Sequence, residues 1–210
     1  MSAAEVAEGL PGIEDLRRLC QSLAVLDAIL CPEWEYRYFS FNAAWAAGEM
    51  LASMRNGEGD DWLILWNQNG AIIKGFAHSA PMARGCPWPG VLDGVPDEFQ
   101  AFLNDPAFSR QHTTFCFWRR PEDPRWCVGE IDFPDDPDPD GALTLLRFLD
   151  GEPETYRRWG EEYFGWSLDS RAIEHIYRQA PLSPFVVRSL NADAGYHELK
   201  SELSEIGYPT

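Results

Sequence analysis

Asp136, Asp138, Asp140 and Gly141 stand in the spacing D-x-D-x-D-G that opens an EF-hand calcium loop. That chemistry needs alternate carboxylates around a hard cation, a glycine for the sharp turn and a bidentate glutamate at loop position 12. Counted from Asp136, position 12 is Arg147, a cation where the loop needs an anion. Pro137 and Pro139 fix φ at two further positions, and the residues upstream, 131–134, make no entering helix. The stretch 132–141, with Asp132, Asp135, Asp136, Asp138 and Asp140 and no base, reads as a stiff charged turn in which Asp140 caps a helix starting near Gly141. No metal ligand and no cofactor is assigned to it.

Glu130 and Asp132 sit two apart on an expected strand, which puts both carboxylates on one face roughly 7 Å apart. Such a pair suits acid–base work or a metal, but no histidine is matched to it in the sequence. His78, His112, His175 and His197 do not cluster, and neither HExxH nor GxSxG occurs. None of Cys20, Cys31, Cys86, Cys116 and Cys127 has an adjacent basic setting that would favour a thiolate, and they form no CxxC. "GEGDDW" is neither a P-loop nor a dinucleotide fingerprint. No catalytic residue is assigned.

Nine tryptophans are many for 210 residues, so their placement decides something. Trp62, Trp66, Trp118 and Trp126 fall in expected strands, where core packing is the default, and Trp34 and Trp45 flank the first helix or strand. Trp88, held between Pro87 and Pro89, is either a plug tucked into the fold or an indole offered to a partner. Both readings stay open.

The elements that must position these groups follow from periodicity. Leu16, Leu19, Cys20, Leu23, Leu26 and Leu30 recur at helical spacing, so a helix is expected from Ile13 to about Cys31, closed by Pro32. "WEYRYFSF" alternates like a half-buried strand. "GEMLASM" reads as a second strand, although "NAAWAAGEMLASM" also fits a short helix. "DWLILW" and "AIIKGF" form a hairpin through Asn69-Gly70, the first strand buried on both faces. Residues 77–96 are Pro- and Gly-rich loop, "VPDEFQAFLND" is a short helix, and "TTFCFWRR" and "RWCVGEID" are two further strands. Beyond the acidic stretch everything reads as helix: "ALTLLRFL", "PETYRRWGEEYF", "DSRAIEHIYRQ", "SPFVVRSLN" with Ser183 as cap, and "GYHELKSELSEIG".

The expected fold class is α+β in one domain, with an antiparallel sheet of five or six strands and segregated helices. Residues 1–131 form the N-terminal helix and sheet-rich part, 132–141 the acidic loop and 142–210 the helical part.

Composition bounds the function. A hydrophobic fraction of 45% suits a globular chain. A formal charge of −17 repels phosphate, which argues against direct nucleic-acid and anionic-membrane binding and favours a basic protein as partner. The first fifteen residues carry four acids, no base and no apolar run, so no signal peptide is read there. With reduced, scattered thiols, the expected compartment is the cytoplasm.

"YFSFNAAWAAGEMLASMRNGEGDDWLILW", "IIKGFAHSAPM" and "DPDG…LLRFLDGEPETY" together resemble an uncharacterised family of acidic, Trp-rich bacterial proteins, from about Trp34 to the C-terminal helices. The resemblance carries no active site onto any residue. In size, acidity and tryptophan content the chain is also similar in type to immunity proteins that neutralise bacterial toxins. The expectation is a cytoplasmic, immunity-like binding protein that masks a basic partner, with Glu130, Asp132, Asp135, Asp136, Asp138, Asp140 and Trp88 as candidate contacts. The rivals are a metal-assisted hydrolase using carboxylates of 130–140 with His78 or His112, and a structural adaptor working through an open apolar stripe on 195–206.

Overall fold

The computed structural model describes residues 3–209. Helices α1 (Ala3–Gly9) and α2 (Ile13–Leu30) lead through a 3-10 turn, Trp34–Tyr36, into the strands β1 (Phe39–Ala46), β2 (Glu49–Arg55), β3 (Asp61–Asn67) and β4 (Gly70–Phe76). A long excursion holds the short α3 (Gln100–Asn104) and returns as β5 (Phe115–Arg119). Helices α4 (Ala142–Leu145), α5 (Pro153–Phe164), α6 (Ser170–Tyr177), α7 (Pro184–Leu190) and α8 (Lys200–Ile206) complete an α+β fold. The sheet runs β1-β2-β3-β4-β5, antiparallel throughout.

Alternation along the strands builds two cores, one on each face. Phe39, Phe41, Met54, Trp62, Ile64, Ile73, Phe115 and Phe117 pack beneath α2 and the C-terminal helices. Leu51, Leu65, Ile72, Cys116 and Trp118 point the other way, onto Met82, Val91, Phe99, Phe102 and Leu103 of the excursion. This explains the unbroken apolar run of β3: both faces of that strand are covered. On α2 the leucines anticipated from their spacing are all buried, each contributing about 1.5–3 kcal/mol. No helix is long and apolar enough to cross a membrane among the described residues.

Asp27, in the last turn of α2, is wholly buried. Its carboxylate accepts the backbone N–H groups of Tyr38 and Phe39, each at 2.8 Å, and the Tyr156 hydroxyl at 2.7 Å. One side chain therefore joins α2, the start of β1 and α5. Burial pushes its pKa up to about 6, against the three hydrogen bonds and Arg37, which favour the charge.

Several expectations need correction. "NAAWAAGEMLASM" is not helical but the end of β1 and most of β2, turned at Gly48. "RWCVGEID" is not a strand: only Cys127 bridges to Trp118, and the chain then leaves the sheet. The segment runs instead against the opposite loop, an approach that needs a glycine there: a Cβ on Gly90, which has φ +90°, would fall 1.9 Å from the Glu130 carbonyl oxygen. Glu130 and Asp132 thus share no strand face. The five strands fall within the expected five or six, whereas α1 was not anticipated and "VPDEFQAFLND" divides into a 3-10 turn and the short α3. Ser183 does cap α7, accepting from Val186 N–H at 3.4 Å.

Candidate binding surface

The acidic stretch turns much of its charge inward. Asp140 is buried, and its two oxygens accept Ala142 N–H and Ala3 N–H, both at 3.0 Å. Gly141, not Asp140, is the N-cap residue of α4; Asp140 binds the first N–H of the helix from one residue earlier and ties down α1 in the same step. Burial raises its pKa to about 6. Asp138 accepts Leu143 N–H and Thr144 N–H at 3.1 and 2.9 Å, and Asp136 accepts Asp138 N–H at 2.9 Å. Gly141 then turns the chain at φ +78°, where a Cβ would lie 2.1 Å from that of Ala77. Glu130, Asp132, Asp135 and Asp136 are exposed. Arg147, the residue opposing a calcium loop, lies over the Phe148 ring at 4.7 Å. Among the described residues no group of three His, Cys, Asp or Glu side chains is placed to hold a metal ion.

Trp88 is half-buried against the second core. Its indole N–H donates to the Asp132 carbonyl at 3.0 Å, and Arg84 lies over the ring at 4.6 Å. It pins the acidic segment to the loop. His78 is held by Asp60 at 2.7 Å and His112 stacks on Phe76 at 4.9 Å, and among the described residues neither makes a hydrogen bond to a 130–140 carboxylate.

Outward-facing aromatic surface gathers elsewhere, around the turn Trp34–Tyr36. Arg37 builds that turn. Its buried guanidinium donates to the carbonyls of Cys31 at 2.7 Å and Pro32 at 3.0 Å and pairs with Glu202 of α8. Trp34 and Tyr36 are left 58% and 59% exposed. On one side a ladder of rings climbs out of the core. Tyr38 meets Trp159 at 4.7 Å, Trp159 stacks on Tyr163 at 5.0 Å, Tyr163 meets Phe164 at 5.1 Å, and Phe164 meets Trp166 at 5.5 Å. Tyr163 and Trp166 end it half-exposed, and the Tyr163 hydroxyl donates to the Tyr36 carbonyl at 3.4 Å. A hollow of about 250 Å³ between Glu33, Tyr36 and Tyr163 follows. Exposed Glu33, Glu35 and Glu162 belong to the same segments.

On the other side of the turn lies a cleft of about 640 Å³ where the second sheet face is not covered by the excursion. Ser40 and Ser53 share a hydrogen bond at 2.7 Å within it, and Trp45 and Phe108, 6.1 Å apart, form a wall. Arg55 lies over Trp34 at 3.9 Å and donates to its carbonyl.

The ladder was not anticipated, although Trp159, Tyr163 and Trp166 recur at i, i+4 and i+7, the spacing of a single helix face. No protein-family model, curated protein or solved structure matches the chain.

Proposed function

We propose that this chain is a cytoplasmic, immunity-like binding protein that masks a basic protein partner, with the Trp34–Tyr36 turn and the adjoining ladder at the centre of contact. The observation that carries the reading is the run of half-exposed rings, Tyr36, Tyr163 and Trp166, bordered by glutamates. Aromatic side chains supply large contact area at small entropic cost and dominate interface energetics. A net charge of −17 supplies the long-range field that speeds encounter with a basic surface. Asp132, Asp135 and Asp136 add to that field, whereas Asp138 and Asp140 act chiefly on their own backbone.

Two observations weigh on the rivals. The stripe Leu199, Leu203 and Ile206, whose exposure would favour an adaptor, is buried. The carboxylates of Asp138 and Asp140, which a hydrolase would need free, are engaged by backbone N–H groups.

The test uses the whole chain, immobilised in native-cell extract, and then the purified partner. Tyr163→Ala/Trp166→Ala should fold normally and weaken binding at least about a hundredfold, as loss of two central anchors would. A partner of acidic character, or an affinity unchanged in the double variant, removes the reading.

A further inference from the structure

We infer that the cleft beside the Trp34–Tyr36 turn receives an arginine side chain, resting on the reading that the partner is basic. Asp61, at the start of β3, lines the cleft, and its Oδ1 is buried without a hydrogen-bond partner among the described residues. A buried acceptor left unpaired is costly, so an arriving donor gains more there than at an exposed carboxylate.

The protein's own cations do not fill the role. Arg55 is the register partner of Asp61 across β2 and β3, and so projects from the same face. Its guanidinium goes to Trp34 instead, over the indole and onto the carbonyl. Lys74 on β4, 1% exposed, makes no ion pair with Asp61 among the described residues; burial holds the Asp61 pKa up, and the nearby Lys74 charge offsets this only in part. Arg37 is taken up by Glu202 and two carbonyls. Of the other acids in the cleft, Glu205 accepts the Asn42 amide at 3.1 Å. Asp61 is the acceptor left over.

The walls select among cations. Trp34 and the half-exposed Trp45 line the cleft, and Arg55 over Trp34 already displays a guanidinium stacked on an indole at this rim. A planar guanidinium can lie along such faces and still donate edge-on to a carboxylate, which an ammonium cannot do. At about 640 Å³ the cleft has room for a whole arginine side chain and its hydration.

The experiment needs no partner. N-acetyl-arginine amide is titrated into the full chain while the indole N–H signals of Trp34 and Trp45 are followed by NMR, with N-acetyl-citrulline amide as the neutral isostere. Saturable shifts at both indoles with arginine, absent with citrulline and at least about tenfold weaker in Asp61→Asn, are expected. Trp45→Ala, which removes a half-exposed ring, should weaken the same response several-fold and serves if Asp61→Asn does not fold. Equal response to citrulline, an unchanged affinity in the folded variant, or no saturable shift overturns the inference. Since Tyr163 and Trp166 do not line the cleft, a chain that takes arginine but no basic protein refutes only the masking function. A chain whose basic partner binds Asp61→Asn as tightly as the native protein refutes only the cleft.

Discussion

The segment 132–141 and the segments around Tyr36 and Tyr163 are both acidic, yet they use their charge in opposite directions. In the first, the carboxylates nearest the helix are aimed at backbone N–H groups, Asp138 at Leu143 and Thr144, Asp140 at Ala142 and Ala3. In the second, Glu33, Glu35 and Glu162 stand exposed beside open rings. A dense run of acids in a sequence therefore need not stay at the surface, since part of it can turn to the chain's own backbone. A carboxylate close to a helix start finds its partner in the chain itself. The glutamates beside the half-exposed rings stay at the surface.

The sharpest way to break this comparison is to remove one acid from each region. Asp140→Ala leaves two buried N–H groups unpaired and releases α1 from α4. A loss of about 3–4 kcal/mol is expected in a urea melt, against about 0.5 kcal/mol or less for Glu35→Ala. Similar losses for both would erase the distinction.

Next in size is the effect of pH. Asp27 and Asp140 both have folded pKa values raised to about 6, above the value near 3.8 of an unfolded chain. Between about pH 4 and 6 the folded state holds protons that the unfolded state has released, so stability falls as pH rises through that window and levels off above it. Each group contributes up to about 3 kcal/mol to the fall. Below about pH 4 the order reverses, because Glu14, held low by Arg17, and Asp60, held low by His78 against its own burial, lose their partners' benefit on protonation. Urea midpoints should thus be higher at pH 5 than at pH 7.5, and Asp27→Asn should flatten the slope. A midpoint that climbs steadily from pH 5 to 7.5 contradicts this.

The third contrast sets Trp88 against Trp166. Trp88 is packed on the second core and holds the Asp132 carbonyl, so Trp88→Ala should cost about 2 kcal/mol, below the ~3–5 kcal/mol of a fully buried tryptophan. Trp166→Ala, at the open end of the ladder, should cost under about 1 kcal/mol. Equal costs would mean that the ladder is core, not surface.

How much of this was legible depends on which signal each residue carries. The β3–β4 hairpin was, because Asn69-Gly70 supplies a turn and both flanks are apolar. So was α2, from its leucines. The strand assigned to 125–132 was not, since the segment lies against the Gly90 loop, an approach between residues 40 apart that no local signal shows. That Asp140 turns towards the start of a helix could be read locally, although the N-cap is Gly141 one residue on; its bond to Ala3 could not. Asp27 had a trace: an acid in the last turn of an apolar helix opposes the helix dipole and calls for a buried partner. The ladder had one too, in the i, i+4, i+7 aromatics of α5 and its end. The same spacing describes a core stripe, and only the packing of Tyr156 and Gly160 inward reveals which face of α5 is left outside.

The smallest expected effect separates field from contact. Asp135→Asn/Asp136→Asn removes two exposed charges that make no contact in the proposed centre of binding. Glu35→Gln/Glu162→Gln removes two at that centre. Both doubles change the net charge equally, so the long-range attraction to a basic partner falls by a similar amount in each. At low salt both should slow association about two- to threefold, and the difference should fade towards 0.15 M, where screening acts beyond about 8 Å. Dissociation tells them apart. It reports the short-range interactions that hold the docked complex, so it should stay unchanged for Asp135 and Asp136 and quicken several-fold for Glu35 and Glu162. Stopped-flow association and dissociation rates with the purified partner measure both. If dissociation quickens for the Asp135/Asp136 pair and not for the Glu35/Glu162 pair, the dense acidic stretch is the docking surface and the aromatic turn is not.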